Sequence, residues 1–221
     1  MVIGDNAGLV LSTATGNVAL GYRVLTSNTT ANTNTGIGYE ALAANTTGYA
    51  NTAVGAYSLD ANTTGFGQVA VGQYAGTSLT TGEQNVAVGH GALQTCTTGK
   101  VNTCVERSTG QAVTTAHFNT FVGGDSGRIC TTGAHNTGLG NDTLYQLTTG
   151  ANNVCLGGGR FGLINGAGGD ITTGSNNICV GSRAGTSNSP SGSITTGSNN
   201  VVLGDNSISN LFCADTSISS S

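Results

Sequence analysis

Asn85-Val86-Ala87-Val88-Gly89 decides how this chain folds. β-Branched residues stand at alternate positions, and a glycine closes the run, which reads as a short strand with two unlike faces. The same pattern ends at Gly4, Gly21, Gly38, Gly55, Gly72 and Gly89, each 17 residues after the last. The next slot is Val105-Glu106, after which the series resumes at Gly123, Gly140 and Gly157. Two further pairs, Val180-Gly181 and Leu203-Gly204, follow at spacings of 24 and 23. A fixed period of this length defines a repeat array of about twelve units.

Two other columns keep the same register. Four residues before the anchor glycine stands Asn17, Asn34, Asn51, Gln68, Asn85, Asn102, Asn119, Asn136, Asn153, Asn177 or Asn200. Eight residues after it begins Thr-Thr-Gly, as in Thr46-Thr47-Gly48 and Thr97-Thr98-Gly99. In the two long units the triplet survives as Thr172-Thr173-Gly174 and Thr195-Thr196-Gly197, which places the additional residues at roughly 158–170 and 182–194.

Seventeen residues cannot bury a core alone, so each unit must lean on its neighbours. The fold expected is all-β, a parallel β-solenoid or β-roll of about twelve 17-residue coils. Residues 1–157 form a regular shaft, 158–204 a tip with two inserted loops, and 205–221 a tail. Asn51, Val54 and Gly55, with Asn85, Val88 and Gly89, represent the structural repeat. The Val88 column is always Val, Ile or Leu and is expected inside the coil. The Ala87 column is small, apart from Phe121 and Val202, and is expected to let another chain approach in a coaxial assembly. Thr-Thr-Gly reads as a turn whose glycine takes positive φ. The Asn column should form an amide ladder at about 4.8 Å spacing, giving a rod on the order of 55 Å long. Tyr39-Glu40-Ala41-Leu42-Ala43-Ala44 suggests a helical turn or a wide bend.

Composition excludes several classes. The chain has 37 glycines, one proline, no tryptophan, six basic and ten acidic side chains, and a net charge of −4. Few and scattered basic residues argue against nucleic acid. No apolar run is long enough to span a membrane as a helix, and the start lacks a signal-peptide pattern.

The strand motif is similar to that of trimeric autotransporter adhesin heads, whose coils are shorter than 17 residues. The fuller unit, Asn51-Thr-Ala-Val-Gly-Ala-Tyr-Ser-Leu-Asp-Ala-Asn-Thr-Thr-Gly65, is similar to repeats of bacteriophage tail-fibre proteins over nearly the whole chain. The stretch Asn200 to Ser221 resembles the junction before the self-cleaving chaperone domain of such fibres. A cut in the serine run would leave the chain ending at Ser221, as would any other boundary set there. These resemblances imply a homotrimer, a virion location outside the host cell, and partners among other tail proteins and a host glycan or outer-membrane protein. A spacer filament without a ligand and a cell-surface adhesin head are the alternatives.

Candidate sites are few. No nucleophile, base and orienting group recur together, and the carboxylates are mostly isolated, so no enzyme is expected. Nor is a cofactor. Six cysteines without any C-x-x-C read as small apolar residues rather than metal ligands. Cys155 and Cys179 fall on adjacent coils, but stacked side chains point the same way, which disfavours a disulfide. His90, His117 and His135 fall at three different repeat positions. Gly157-Gly158-Gly159-Arg160-Phe161-Gly162 lacks the Lys-Ser/Thr of a phosphate loop. Asn28, Asn45 and Asn62 form Asn-x-Thr sequons that belong to the repeat itself. Recognition is expected where the repeat is interrupted. This singles out Arg160, Phe161, Asn165 and Asp170 in the first insertion, and Arg183, Asn188 and Pro190 in the second.

Overall fold

The computed structural model describes residues 1–10, 12–159 and 166–210. Twelve short strands form one parallel sheet in strict sequence order. They run from β1 (Val2–Ile3) and β2 (Val18–Leu20) through β3 (Thr35–Ile37), β4 (Thr52–Val54), β5 (Val69–Val71) and β6 (Val86–Val88). β7 (Thr103–Val105), β8 (Thr120–Val122), β9 (Thr137–Leu139), β10 (Val154–Leu156), β11 (Ile178–Val180) and β12 (Val201–Leu203) complete the stack. Nine successive steps keep the 17-residue register, so Ala53 pairs with Ala70 and Ala70 with Ala87. The last two steps are 24 and 23 residues long, yet Cys155 still pairs with Cys179 and Cys179 with Val202. This is the β-solenoid the repeat predicts.

Inside and outside are reversed relative to the sequence expectation. The small column is the core: Ala19, Ala53, Ala70, Ala87, Cys104, Phe121, Cys155 and Cys179 are all buried. The residues on either side of it, including Val54 and Val88, are partly exposed and face outward. The cause is the thinness of the coil. Beneath each three-residue strand lie the side chains of the opposite wall, such as Ala92 and Leu93, which are also fully buried. The remaining gap accepts only a methyl group, a thiol or nothing. A Cβ on Gly36 would come within 2.5 Å of the Val24 side chain, so even alanine is too large there.

Phe121 is the exception that shows how volume is conserved. Its ring is fully buried in the small column, and smaller neighbours make the room. A Cβ on Gly127 would sit 2.6 Å from the ring, and one on Gly138 would sit 3.2 Å away. Truncation Phe121→Ala should therefore leave a cavity that two glycines cannot fill, costing about 3–5 kcal/mol. The urea midpoint of the variant, followed by far-UV circular dichroism, checks this.

The corners are built from left-handed residues rather than from a helical turn. In the segment starting at Tyr39, Glu40 and Leu42 both have positive φ, near 54°. The same two positions recur as Arg23 and Leu25, and as Tyr57 and Leu59. A third left-handed position precedes the Asn column, at Thr33, Ala50, Gln84 and Val101. Alternating right- and left-handed residues lets each corner turn while its N–H and C=O groups bond along the stack. Glu40 N–H, for example, donates to Tyr22 C=O at 2.9 Å, and Leu42 N–H to Ser58 C=O at 3.1 Å.

The two glycines of the repeat have different reasons to be glycine. Anchor glycines such as Gly72 and Gly89 have φ near 131–132°, a region L side chains rarely adopt. The Thr-Thr-Gly glycines do not have the positive φ expected of them. There it is proximity that matters: a Cβ on Gly65 would lie 2.3 Å from Gly82 O.

Two polar ladders run inside the stack. In the first, each Asn of the predicted column accepts the N–H of its counterpart one coil on, as Asn34 N–H donates to Asn17 Oδ1 at 2.8 Å. Its own Nδ2 reaches across the coil to the carbonyl that closes the Thr-Thr-Gly or Thr-Thr-Ala corner, as Asn34 does to Gly48 O at 2.9 Å and Asn102 to Ala116 O at 2.8 Å. Gln68 occupies one rung and makes both bonds, to Gly82 O and from Asn85 N–H. The second ladder is the sequon column. Asn28, Asn45 and Asn62 are buried and linked through Asn45 Nδ2 and Asn62 Nδ2 at 3.1 and 2.9 Å. Their amides are inaccessible to any glycosylating enzyme in the folded chain. The ladder ends where Leu79 takes the next rung, and Asn62 Oδ1 is left without a partner among the described residues.

Candidate functional site

Three surface features stand out from the regular coil: the outer sheet face, stacked rings along the corners, and the inserted segments near β10 to β12.

The outer face carries two columns. One runs Val18, Thr35, Thr52, Val69, Val86, Thr103, Thr120, Thr137, Val154, Ile178 and Val201. The other is the Val88 column, from Ile3 to Leu203. Every residue in both is apolar or threonine. Exposure is 42% at Leu139 in mid-stack and reaches 53% at Ile3 and 68% at Val201 at the ends.

Aromatic residues line the corners in ladders that composition alone did not reveal. Tyr22, Tyr39, Tyr57 and Tyr74 follow one another at centroid separations of 5.1, 5.2 and 5.4 Å. Tyr49 stacks on Phe66 at 4.9 Å, and Phe118 on His135 at 4.9 Å. His90 meets the edge of Tyr74 and His117 tilts against Phe118 at 6.2 Å, so all three histidines make ring contacts. His117 also accepts the Lys100 N–H at Nδ1, 2.9 Å away. Aromatic residues recurring at 17 residues, with steps of 18 at Tyr39–Tyr57 and 16 at Tyr74–His90, are the signal that could have found these stacks.

The insertions leave the coil at two different corners. The first leaves after Gly159, whose N–H still makes the regular bond to Asn141 O at 2.8 Å, and the chain rejoins the core columns at Ala167, whose N–H donates to Gly157 O at 2.8 Å. The second begins beyond the core residues Ala184 and Gly185 and ends at Ile194. Of the residues singled out for recognition, Arg160, Phe161 and Asn165 lie outside the described residues, as does Ser221. Asp170 is turned to structural use: its Oδ2 accepts Ser187 N–H at 3.1 Å and the Ser193 hydroxyl, tying the second insertion to the coil below. Arg183 faces Asp205 at 3.8 Å. Asn188 and Pro190 are exposed, with Ser189 buried between them and bonded to Thr186 O and Gly192 O. The structure thus presents Asn188 and Pro190 on a self-supporting loop that Asp170 braces, while Arg183 pairs with Asp205 beyond β12.

The thiols are buried rather than displayed. Cys96, Cys104, Cys130, Cys155 and Cys179 are free and packed in the core. Burial pushes Cys96 up to about 11 and Cys130 up to about 12, against an ordinary value of 9.0. The sign follows directly: the folded chain holds these protons where the unfolded chain releases them. This contribution to stability is therefore full below pH 9 and is lost as pH rises towards 11 and 12. Native protein at pH 8 should leave these five thiols unlabelled by a disulfide reagent, and urea should expose them together. Cys213 lies outside the described residues, so fast labelling of more than one of the six thiols without urea would contradict the packing.

Among the described residues no three His, Cys, Asp or Glu side chains converge as a metal site. Nor is any helix long and apolar enough to cross a membrane. The chain matches no family model, no curated protein and no solved structure in comparison with known proteins.

Proposed function

We propose that this chain is a segment of a phage tail fibre, a homotrimeric virion component that displays its inserted loops to the host surface. The observation that carries the reading is the unbroken in-register stack of twelve strands, interrupted only at the two steps nearest one end. A rigid shaft with irregular loops at one end suits a part that transmits position and makes contact at its tip. The similarity of the 17-residue unit to tail-fibre repeats supplies the class. The ligand is a host-surface glycan or outer-membrane protein, the fibre's other partners are tail proteins, and no catalysis is assigned.

The test is binding of purified protein to bacterial cells and to an array of bacterial surface polysaccharides. Binding should fall at least tenfold when 187–192 is shortened to a two-residue turn and Arg160 and Phe161 are replaced by glycine. Binding by the intact chain that is indifferent to both changes would overturn the assignment of recognition to the insertions. A spacer role is the second reading, favoured by the internal use of Asp170 and Arg183. It predicts no binding by the intact chain.

A further inference from the structure

The outer sheet face is the part of the molecule that its own fold leaves unexplained. In a half-buried strand the outward positions are ordinarily polar. Here they are Val, Ile, Leu, Thr or Met at every rung, with no Asp, Glu, Lys or Arg in either column. Selection for strand propensity alone would be met by threonine throughout, yet the Val88 column contains none.

We propose that this face is where copies of the chain pack together, side by side and parallel, with the Val88 columns turned towards a common axis. The proposal rests on the fibre reading and names the surface that holds the fibre together. It also replaces the small-residue column as the interface, because that column is buried within each coil.

Three observations select a second copy of this chain as the occupant. The first is period: a partner that covers all twelve strands must itself repeat at the spacing of the coils, about 4.8 Å. A parallel copy does so by construction, and each residue of the Val88 column, turned to the axis, then meets its own counterpart. The second is charge. A face without charge offers nothing to steer an acidic or basic partner, whereas it is self-complementary to another such face. The third is area. Three residues of strand span about 10 Å, and the stack is on the order of 55 Å long, so each face offers about 500 Å². Two such faces bury about 1,000 Å², the lower limit for a specific interface, and closure around an axis adds more. The rim is mostly polar or aromatic, with Asp5, Tyr22, Gln73, Arg107 and Asn141 just beyond the anchor glycines, though Ala56 and Gly124 fall there too.

The experiment compares native mass by light scattering for the wild type, Val71→Lys with Val88→Lys, and Thr81→Lys with Thr98→Lys. The first pair lies on the outer face, while the second lies on the Thr-Thr-Gly corner. Wild type should show several chains, the outer-face pair a single chain with unchanged far-UV circular dichroism, and the corner pair the wild-type mass. A wild type of single-chain mass overturns this proposal and the fibre reading together. A multi-chain wild type that the outer-face lysines leave intact overturns the assignment of the face and leaves the fibre standing. Val105→Cys in a Cys213→Ser background, treated with a short bismaleimide, supplies a readout independent of those variants. It should join chains in pairs, because each residue of the Val88 column meets its own copy at the axis, whereas Thr98→Cys in the same background should not. Equal cross-linking at both positions, or none at Val105→Cys, contradicts the proposal.

Discussion

Asn102→Leu should lower stability by about 2–6 kcal/mol, although leucine is close to asparagine in size. Asn102 is fully buried, and its amide makes four hydrogen bonds with three neighbouring residues. Its Oδ1 accepts the Asn119 N–H at 3.1 Å and Asn119 Nδ2 at 3.2 Å. Its Nδ2 donates to Ala116 O at 2.8 Å and to Asn85 Oδ1 at 3.1 Å. Leucine leaves the Asn119 N–H and the Ala116 carbonyl buried and unmatched, each at about 1–3 kcal/mol. Asn102→Gln should be far milder, because Gln68 already makes the equivalent bonds in its own coil. Solenoid stability is a sum of neighbour terms, so the damage should stay local. Amide hydrogen exchange should accelerate in the coils around β6 to β8 and much less at β2 or β11. Uniform acceleration would contradict the nearest-neighbour account.

The second large effect is at the anchor glycines. Gly72→Val forces an L side chain to φ near 132°, with its Cβ 2.6 Å from Gly89 O. The dihedral alone costs about 1–3 kcal/mol, and the backbone clash adds to it. Nature has placed one test in the same column. Glu106 occupies the anchor position at φ 103°, shifted from the glycine value but still on the strained side. Glu106→Gly should therefore act in the opposite direction, relieving about 1–3 kcal/mol of strain less about 0.5–1 kcal/mol for the added freedom of the unfolded chain. Thermal midpoints of the two variants against wild type should move in opposite directions. A midpoint lowered by Glu106→Gly would mean that the glutamate side chain makes a contact worth more than its strain.

The period was legible because stacking forces it. Backbone bonds between coils align each residue with its counterpart, and a side chain that suits one rung suits the next. This made the strand positions, the Asn ladder and the two lengthened coils readable from spacing alone. The direction of the faces was not. Alternation in Val86-Ala87-Val88 separates two sides of a strand but does not say which is inward. The usual rule that larger aliphatics go inward fails when the coil is too thin to hold them. Phe121, with its glycine neighbours, marks how little space there is.

The corners were illegible for a different reason. Leucines at left-handed φ, such as Leu25, Leu42 and Leu59, contradict local propensity and are held by burial in the stack. A reading by propensity favours a helical turn there. The insertions were found by length, but their points of exit were not, because the extra residues lie between two fixed columns and spacing cannot divide them. Asp170 and Arg183 read as charged loop residues, yet Asp170 braces the loop and Arg183 pairs with Asp205.

Small-angle scattering joined to light scattering tests the central claim most directly, since it gives mass and length together. Parallel packing through the outer sheet face predicts a mass of about three times the 21.8 kDa chain in a particle no longer than one solenoid. A single-chain mass, or a mass that rises only as the rod lengthens, would contradict it.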